Sequence, residues 1–251
     1  MAKFCTKCGS EMVDGKCPKC KETKKTTNEN QIEEVDIKQG FTDSLEILKG
    51  IFTKPFDIIK KFVCENKYIA GIIMIVLTAL SQGLYKIATL KNMYSSNNAN
   101  AFNSNDFSDL LDKAMQGNLG VKEPEYLKEF MTSFATNLVL YAVLAVAGYF
   151  LITKLFKGKA TIKEMLSVVG VSLAVVLVAN VANSVFVFID AEVMGYIRSY
   201  ITSFATITST LVLAASVNQV AKIDKNKLFL SVASMSVLAT LVIDIVEKLF
   251  D

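Results

Sequence analysis

Four cysteines near the start of the chain form the pattern most suited to chemistry in this sequence. Cys5, Cys8, Cys17 and Cys20 make two Cys-x-x-Cys pairs, separated by eight residues. A Cys-x-x-Cys turn places two thiolates on one edge of a tetrahedron, the geometry that Zn²⁺ takes in structural sites. Because all four ligands are thiolates and no position stays open for water, the spacing predicts one structural zinc ion and no catalytic metal.

Two other uses of the same thiols are a disulfide framework and a redox site. A disulfide framework needs an oxidising compartment, whereas the loop charges described below place this segment in the cytoplasm. A thioredoxin-like site needs a βαβ setting, which the surrounding residues do not suggest. The stretch resembles the short zinc ribbon at the N-terminus of many bacterial membrane proteins, and all four ligand positions match. We therefore expect residues 1–25 to form a zinc ribbon.

Lysines surround the cysteines, at positions 3, 7, 16, 19, 21, 24 and 25. One interpretation is a solvated basic surface that offsets the dianionic zinc–thiolate centre, and another is contact with RNA or anionic lipid headgroups. Phe4 is the single aromatic residue among them, and the whole chain has a net charge of only +3. These features favour a solvated surface or protein–protein docking and argue against nucleic acid as a partner.

Histidine is absent from the whole sequence. Its absence excludes histidine general acid–base catalysis, Ser-His and Cys-His nucleophile pairs, His-ligated haem and any metal site that contains histidine. Serine and threonine are plentiful in the apolar segments, but no base is placed beside them. The sequence therefore predicts a protein that is not an enzyme.

Two segments connect the ribbon to the apolar part of the chain. Residues 26–40 are polar and predict a flexible linker. Residues 41–66 predict an amphipathic juxtamembrane helix at the membrane surface, kinked or restarted at Pro55, although the apolar face of a soluble core is an alternative. The apolar stripe of this helix consists of Leu45, Leu48, Ile51, Phe52, Phe56, Ile59, Phe62 and Val63.

The rest of the chain, residues 67–251, predicts an all-α polytopic membrane domain. About 20 apolar residues are needed to cross the hydrocarbon core of a bilayer. Five segments meet this requirement, and a polar outer loop at 91–133 separates the first two. The five predicted spans lie at about 68–90, 134–156, 162–189, 197–221 and 228–246.

The distribution of lysines between the spans predicts the orientation. Lysines precede span one and fill the connections between spans two and three and between spans four and five, whereas the outer loop 91–133 and the segment 190–196 are more acidic. By the positive-inside rule the N-terminus is cytoplasmic and the C-terminus extracytoplasmic. We expect a multi-pass protein of the cell (plasma) membrane.

A few polar residues fall inside the predicted spans. Asn180 and Asn183 lie one turn apart in span three, and Arg198 and Asp244 are placed so that they could pair. They could line a pathway for a substrate or ion, or they could join helices by hydrogen bonds. The spans contain no proline and no ionisable residue at mid-depth, which favours helix packing. The fifth cysteine, Cys64, is expected to be a buried structural thiol, with palmitoylation as the alternative.

Two passages carry a resemblance to a known family. IFTKPFDIIKKF (51–62) and LFKGKATIKEMLSVVGVSL (155–173), together with five spans, resemble bacterial members of the Yip1 superfamily over about residues 41–250. The resemblance implies an integral membrane scaffold that acts through partners and has no catalytic residues.

The sequence as a whole predicts a non-enzymatic membrane scaffold or adaptor. Its partners would be the lipid bilayer and a cytoplasmic protein that the zinc ribbon binds, and an oligomer is left open. The alternative is a small transporter or channel that uses the polar faces of spans three to five and is modulated by the ribbon.

Overall fold

The computed structural model describes residues 36–65, 67–102, 125–189 and 192–250. The chain divides into two units, Met1–Asp36 and Ile37–Asp251, and the following description concerns the second. The predicted ribbon at 1–25, residues 26–35 of the linker and residues 103–124 of the outer loop lie outside the described residues. Within the described ranges all regular structure is helical, which confirms the all-α class for this part of the chain.

In the described ranges seven α-helices follow one another, and two of them continue into a π-helical turn. Their bounds are α1 Ile37–Gly50, α2 Pro55–Ile59 with the π-turn Lys60–Cys64, α3 Tyr68–Phe102, α4 Tyr126–Phe150 with the π-turn Leu151–Leu155, α5 Ile162–Phe186, α6 Glu192–Ala221 and α7 Lys225–Phe250. The break between α1 and α2 confirms the predicted restart, since Pro55 occupies the first turn of α2, where its missing N–H costs no helical hydrogen bond.

Four segments of these helices are long and apolar enough to cross a membrane: Tyr68–Met93, Tyr126–Leu155, Ile162–Phe186 and Val193–Ala221. The shortest has 25 residues, or about 37 Å at the rise of an α-helix, against roughly 30 Å of hydrocarbon. They correspond to the first four predicted spans. Helix α7 covers the predicted fifth span, but its described residues do not place it among these segments, so the fifth span stays a prediction.

Helix α5 forms the centre of the bundle and packs against α3, α4 and α6. Its residues from Ser167 to Val175 are all buried. The closest approach is to α3, where a Cβ added to Gly170 would lie 2.3 Å from the carbonyl oxygen of Gly71. Ala174 and Ala145 are fully buried as well. These small residues therefore let the helices approach one another closely.

Side-chain caps start the two helices that follow the lysine-rich connections. Thr161 and Glu164 form a capping box at α5: the Glu164 N–H donates to Thr161 Oγ1 (3.2 Å), and the Thr161 N–H donates to Glu164 Oε2 (2.7 Å). At α7, Asp224 Oδ1 accepts from the N–H groups of Asn226 and Lys227, each at 3.0 Å. Both connections therefore end at a defined residue.

Candidate functional site

The predicted metal ligands Cys5, Cys8, Cys17 and Cys20 lie outside the described residues. Zinc binding by these thiolates stays a prediction. In the part of the chain that the structure describes, no group of three or more histidine, cysteine, aspartate or glutamate side chains could hold a metal ion. The candidate site that the structure does describe is the juxtamembrane segment α1–α2 and the end of the bundle against which it packs.

Helix α1 is docked on the beginning of α3. Its buried face includes Gly40, Ser44 and Ile47. The Ser44 hydroxyl lies 2.8 Å from the carbonyl oxygen of Gly40 and 3.3 Å from that of Ala70, so its proton is held between the two helices. Helix α1 also contacts α5. The segment that leads to the first span is therefore part of the bundle.

The second half of the segment is buried more deeply. Ile58, Ile59, Phe62 and Val63 are almost fully covered, because α2 and its π-turn pack against α5 and α6. The predicted apolar stripe is thus divided. Ile51, Ile59, Phe62 and Val63 face the bundle, whereas Leu45, Phe52 and Phe56 are exposed.

This division shows that one side of the segment is docked on the bundle, and its position at the membrane surface stays a prediction. A regular period of apolar residues indicates one apolar side, but here two adjacent sides are apolar and only one of them meets the bundle. Ile37, Phe41 and Leu45 recur every four residues on α1 and remain between 44 and 66% exposed. These exposed side chains keep the segment suited to contact with lipid.

A buried carboxylate fixes α1 to the start of α3. The Asp43 side chain is only 8% exposed, and its Oδ2 lies 3.5 Å from Lys67 Nζ. Gln39 Nε2 donates a hydrogen bond of 2.9 Å to Asp43 Oδ1. Lys67 Nζ also lies 5.1 Å from the centre of the Phe62 ring, within the range of a cation–π contact. Lys67, the residue before α3, thereby contacts both α1 and the π-turn after α2.

A more exposed ion pair reinforces this arrangement. Lys61 Nζ donates to both carboxylate oxygens of Glu46, at 2.5 and 2.7 Å. The hydrogen bond from Glu46 raises the pKa of Lys61 above its usual value, while desolvation opposes the shift. The pair joins the middle of α1 to the π-turn 15 residues further along the chain.

The two asparagines inside the bundle each join two helices. Asn180 Nδ2 donates to Ser81 Oγ at 3.0 Å, which connects α5 with α3. Asn183 Nδ2 donates to Thr202 Oγ1 at 3.0 Å, which connects α5 with α6. Both asparagines are buried. This geometry is that of hydrogen bonds between packed membrane helices.

The threonines of α6 are occupied by their own helix. Thr202, Thr206 and Thr210 each donate to the carbonyl oxygen four residues earlier, at 2.9 Å, and all three lie on exposed surface. A hydroxyl bonded in this way presents less polarity to its surroundings. This row of threonines therefore does not line an internal pathway in the described structure.

Of the two charged residues predicted to pair in the spans, the structure describes the side chain of only one. The Nε atom of Arg198 is buried and has no hydrogen-bond partner. The Asp244 side chain lies outside the described side chains, so the predicted Arg198–Asp244 pair stays a prediction. The Cys64 side chain is outside them too, and its expected burial remains untested.

Sequence reasoning missed Asp43 and Ser81 as partners. Asp43 follows the buried Gly40 and precedes the buried Ile47 at helical spacing, and a carboxylate inside such a pattern is a signal for a buried ion pair. Ser81 carries no such signal, because its role depends on which face of α3 meets Asn180.

The family model of the Yip1 domain matches residues 49–245, which is more than half of the chain. This range contains both passages that resemble the family and runs from the end of α1 into α7. No curated protein and no solved structure matches the chain.

Proposed function

Since this chain belongs to the Yip1 domain family, a family of membrane proteins, we propose that it is a non-enzymatic integral membrane scaffold or adaptor. Its N-terminal zinc ribbon binds a protein partner in the cytoplasm, and the helical bundle holds this ribbon at a bacterial cell membrane. The family is not known for enzymatic activity, in line with the absence of histidine from the sequence.

The observation that carries this proposal is the docking of α1 and α2 on the bundle. The chain leaves the N-terminal unit at Asp36 and enters α1 at Ile37. Helix α1 is fixed by the Asp43–Lys67 ion pair and the Glu46–Lys61 pair. A partner bound to the N-terminal unit is therefore attached to a helix that cannot swing away from the bundle without breaking buried contacts.

Zinc has a structural role in this proposal. The four thiolates at positions 5, 8, 17 and 20 bind one Zn²⁺ ion, and all four coordination positions are then filled by protein. A segment of some 25 residues is too short to bury a core of its own, so metal binding supplies its folding free energy.

The proposed topology has five spans with the lysine-rich connections in the cytoplasm. Helix α7, the fifth span, has 26 residues and packs against α4 and α6. The lysines of the 156–161 and 222–224 connections are exposed, and α1 and α2 pack near the same end of the bundle. With five spans the N-terminus is cytoplasmic and the C-terminus extracytoplasmic.

In-cell crosslinking with mass spectrometry tests the scaffold function. The intact protein is compared with a Cys5→Ser/Cys8→Ser variant inserted at equal levels, and Cys64→Ser serves as a control that also removes a thiol. We expect the intact protein and the control to capture the same cytoplasmic protein and the double variant to lose it. Capture of identical neighbours by all three would refute recruitment by the ribbon.

A further inference from the structure

A shallow apolar groove runs along the outside of the bundle between α4 and α7. Its volume is about 390 Å³, and it is lined by Ala147, Phe150, Leu151, Lys154, Leu155 and Leu238. Lys154 is the single charged residue of this lining. Phe150 and Leu155 remain 54 and 63% exposed, so the groove has apolar walls that no other described part of the chain covers.

The position of the groove relates it to the bilayer. It occupies the last turns of the Tyr126–Leu155 segment, which is long and apolar enough to span a membrane. Apolar side chains exposed at that level are in contact with acyl chains, and a lysine at the end of a span can extend its ammonium group to the headgroups. The groove and Lys154 therefore follow the same order as the tail and headgroup of a phospholipid.

The backbone at the groove is a π-helical turn. Residues Leu151–Leu155 form this turn, and the Phe156 N–H donates to the carbonyl oxygen of Leu151 at 3.0 Å. A π-turn inserts an additional residue into the helix and changes the direction in which the following side chains project; such turns are frequent at functional sites. Lys154 is part of this turn.

The charge next to the groove is strongly one-sided. Residues 150–163 contain four lysines and no acidic residue. Other lysines at this end of the bundle have partners: Lys61 binds Glu46, Lys67 binds Asp43, and Lys163 Nζ lies 4.6 Å from the centre of the Tyr68 ring. Lys154, by contrast, has no described carboxylate within 4.0 Å.

The loop that follows the groove is held in place by the neighbouring connection. Lys159 N–H donates to the carbonyl oxygen of Ala221 at 3.0 Å, and Gly158 N–H donates to that of Ile152 at 2.8 Å. Lys157 and Lys222 both have left-handed backbones, with φ of 55° and 49°. Such a conformation is uncommon for lysine and persists where surrounding contacts impose it. The lysines of both connections are thus presented from a fixed backbone.

We propose that this groove binds an anionic phospholipid of the leaflet that meets the lysine-rich end of the bundle. One acyl chain lies along Phe150, Leu151 and Leu155, and the phosphate contacts the ammonium group of Lys154. A zwitterionic lipid brings its own cation to the same place and gains less from this lysine. The proposal goes beyond the scaffold function and does not depend on the ribbon or on its partner.

Native mass spectrometry of the full-length protein in detergent provides the test. The protein is titrated with phosphatidylglycerol and, separately, with phosphatidylcholine of the same acyl chains. We expect preferential retention of phosphatidylglycerol, and on the order of fivefold weaker binding for Lys154→Gln, the loss expected for one lysine at an anionic surface. Lys225→Gln, which removes an exposed lysine outside the groove lining, should bind as the wild type does.

Two further arms separate the headgroup from the acyl chain. Ala147→Phe fills part of the groove and should weaken the retention of both lipids, whereas inorganic phosphate should not displace phosphatidylglycerol. Equal retention of both lipids by the wild type, or an unchanged affinity of Lys154→Gln, would overturn the proposal.

Labelling of the wild type keeps the test independent of whether the variants fold. Phosphatidylglycerol with a photoreactive acyl chain should label the peptide that contains residues 147–155 more than the lipid-exposed faces of α6. Labelling spread evenly over the exposed helices would also overturn the proposal.

Discussion

Gly71 and Gly170 bring α3 and α5 into direct backbone contact. A Cβ on Gly170 would lie 2.3 Å from the Gly71 oxygen and 2.4 Å from its Cα, and a Cβ on Gly71 would lie 2.5 Å from the carbonyl oxygen of Leu166. Neither neighbour is a side chain that could rotate away. The crossing of the two helices therefore depends on the absence of side chains at both positions.

Gly170→Ala should destabilise the bundle by about 1–3 kcal/mol, the usual cost of overpacking a well-packed contact. Thermal unfolding in detergent would measure the effect. Gly195→Ala is the matched control, because nothing lies within 4 Å of a Cβ at that helical position, and alanine is the better helix former. Equal melting temperatures of the two variants would contradict the contact.

Asn180 and Ser81 should be energetically coupled. A double-mutant cycle with Asn180→Ala and Ser81→Ala is expected to give a coupling free energy of about 0.6 kcal/mol, the average for hydrogen bonds between membrane helices. The measurement is the unfolding free energy of the wild type, both single variants and the double variant. A coupling free energy of zero would show that this hydrogen bond does not contribute to stability.

Variants of the two buried asparagines also test the transporter alternative. If the asparagines only join helices, vesicles with Asn180→Ala or Asn183→Ala should show no change in solute or ion permeability relative to the wild type. A folded variant that loses a measurable flux would instead favour a polar pathway through α5.

Asp43→Ala should release α1 from the bundle. It removes the nearer and more buried carboxylate of Lys67 and leaves only Glu65, whose exposed Oε2 lies 4.0 Å from Lys67 Nζ; the loss of such a pair costs about 1–3 kcal/mol. Hydrogen exchange of the α1 amides should then increase while that of α5 stays unchanged. Glu46→Gln, which breaks the more exposed pair with Lys61, should lower the free energy of unfolding by only about 0–1 kcal/mol. A larger loss for Glu46→Gln than for Asp43→Ala would contradict the greater importance of the buried pair.

Acid should weaken the start of α7. The backbone hydrogen bonds from Lys227 and Asn226 lower the pKa of Asp224 below its ordinary value of 3.8. A lowered pKa in the folded state means that the stabilisation is present above pH 3.8 and is lost as the pH falls through the folded pKa. Asp224→Asn keeps a capping oxygen but does not titrate, so its melting temperature should decline less below pH 4. If the melting temperatures of the wild type and Asp224→Asn fall equally with pH, protonation of Asp224 does not cause the loss of stability.

The full-length protein should bind one equivalent of zinc. Cys17→Ser removes one of four thiolates and should abolish stoichiometric binding at chelator concentrations that leave the wild type loaded. Elemental analysis after dialysis is the measurement, and Cys64→Ser should retain the metal. Retention of a full equivalent by Cys17→Ser would exclude the four-thiolate site.

The sequence predicts best those features that depend on local chemistry. Pro55 marks the restart of the juxtamembrane helix because proline has no backbone N–H and is tolerated in the first turn of a helix but not in its interior. Apolar length alone likewise locates the first four spans. These features need no knowledge of which helices are neighbours.

Features that depend on which helices are neighbours are harder to predict from the sequence. The apolar stripe at 41–66 does not reveal that Ile59 and Phe62 would meet α5 and α6 while Phe56 would not, since the bundle decides this. The pairing of Asp43 with Lys67 has the same origin, because two elements must first be docked. The four cysteines are a strong local pattern, and zinc at them remains to be tested by the metal analysis described above.

Because of the hydrogen bond from Lys159 to Ala221, α5 and α6 are connected to each other at both of their ends. At one end these helices are joined covalently through residues 187–191, and at the other the residues before α5 are bonded to the last residue of α6. A slide of one helix along the other by a single turn, about 5.4 Å, would have to break this bond first. Alternating-access motion would thus meet resistance at this contact, whereas a rigid platform benefits from it.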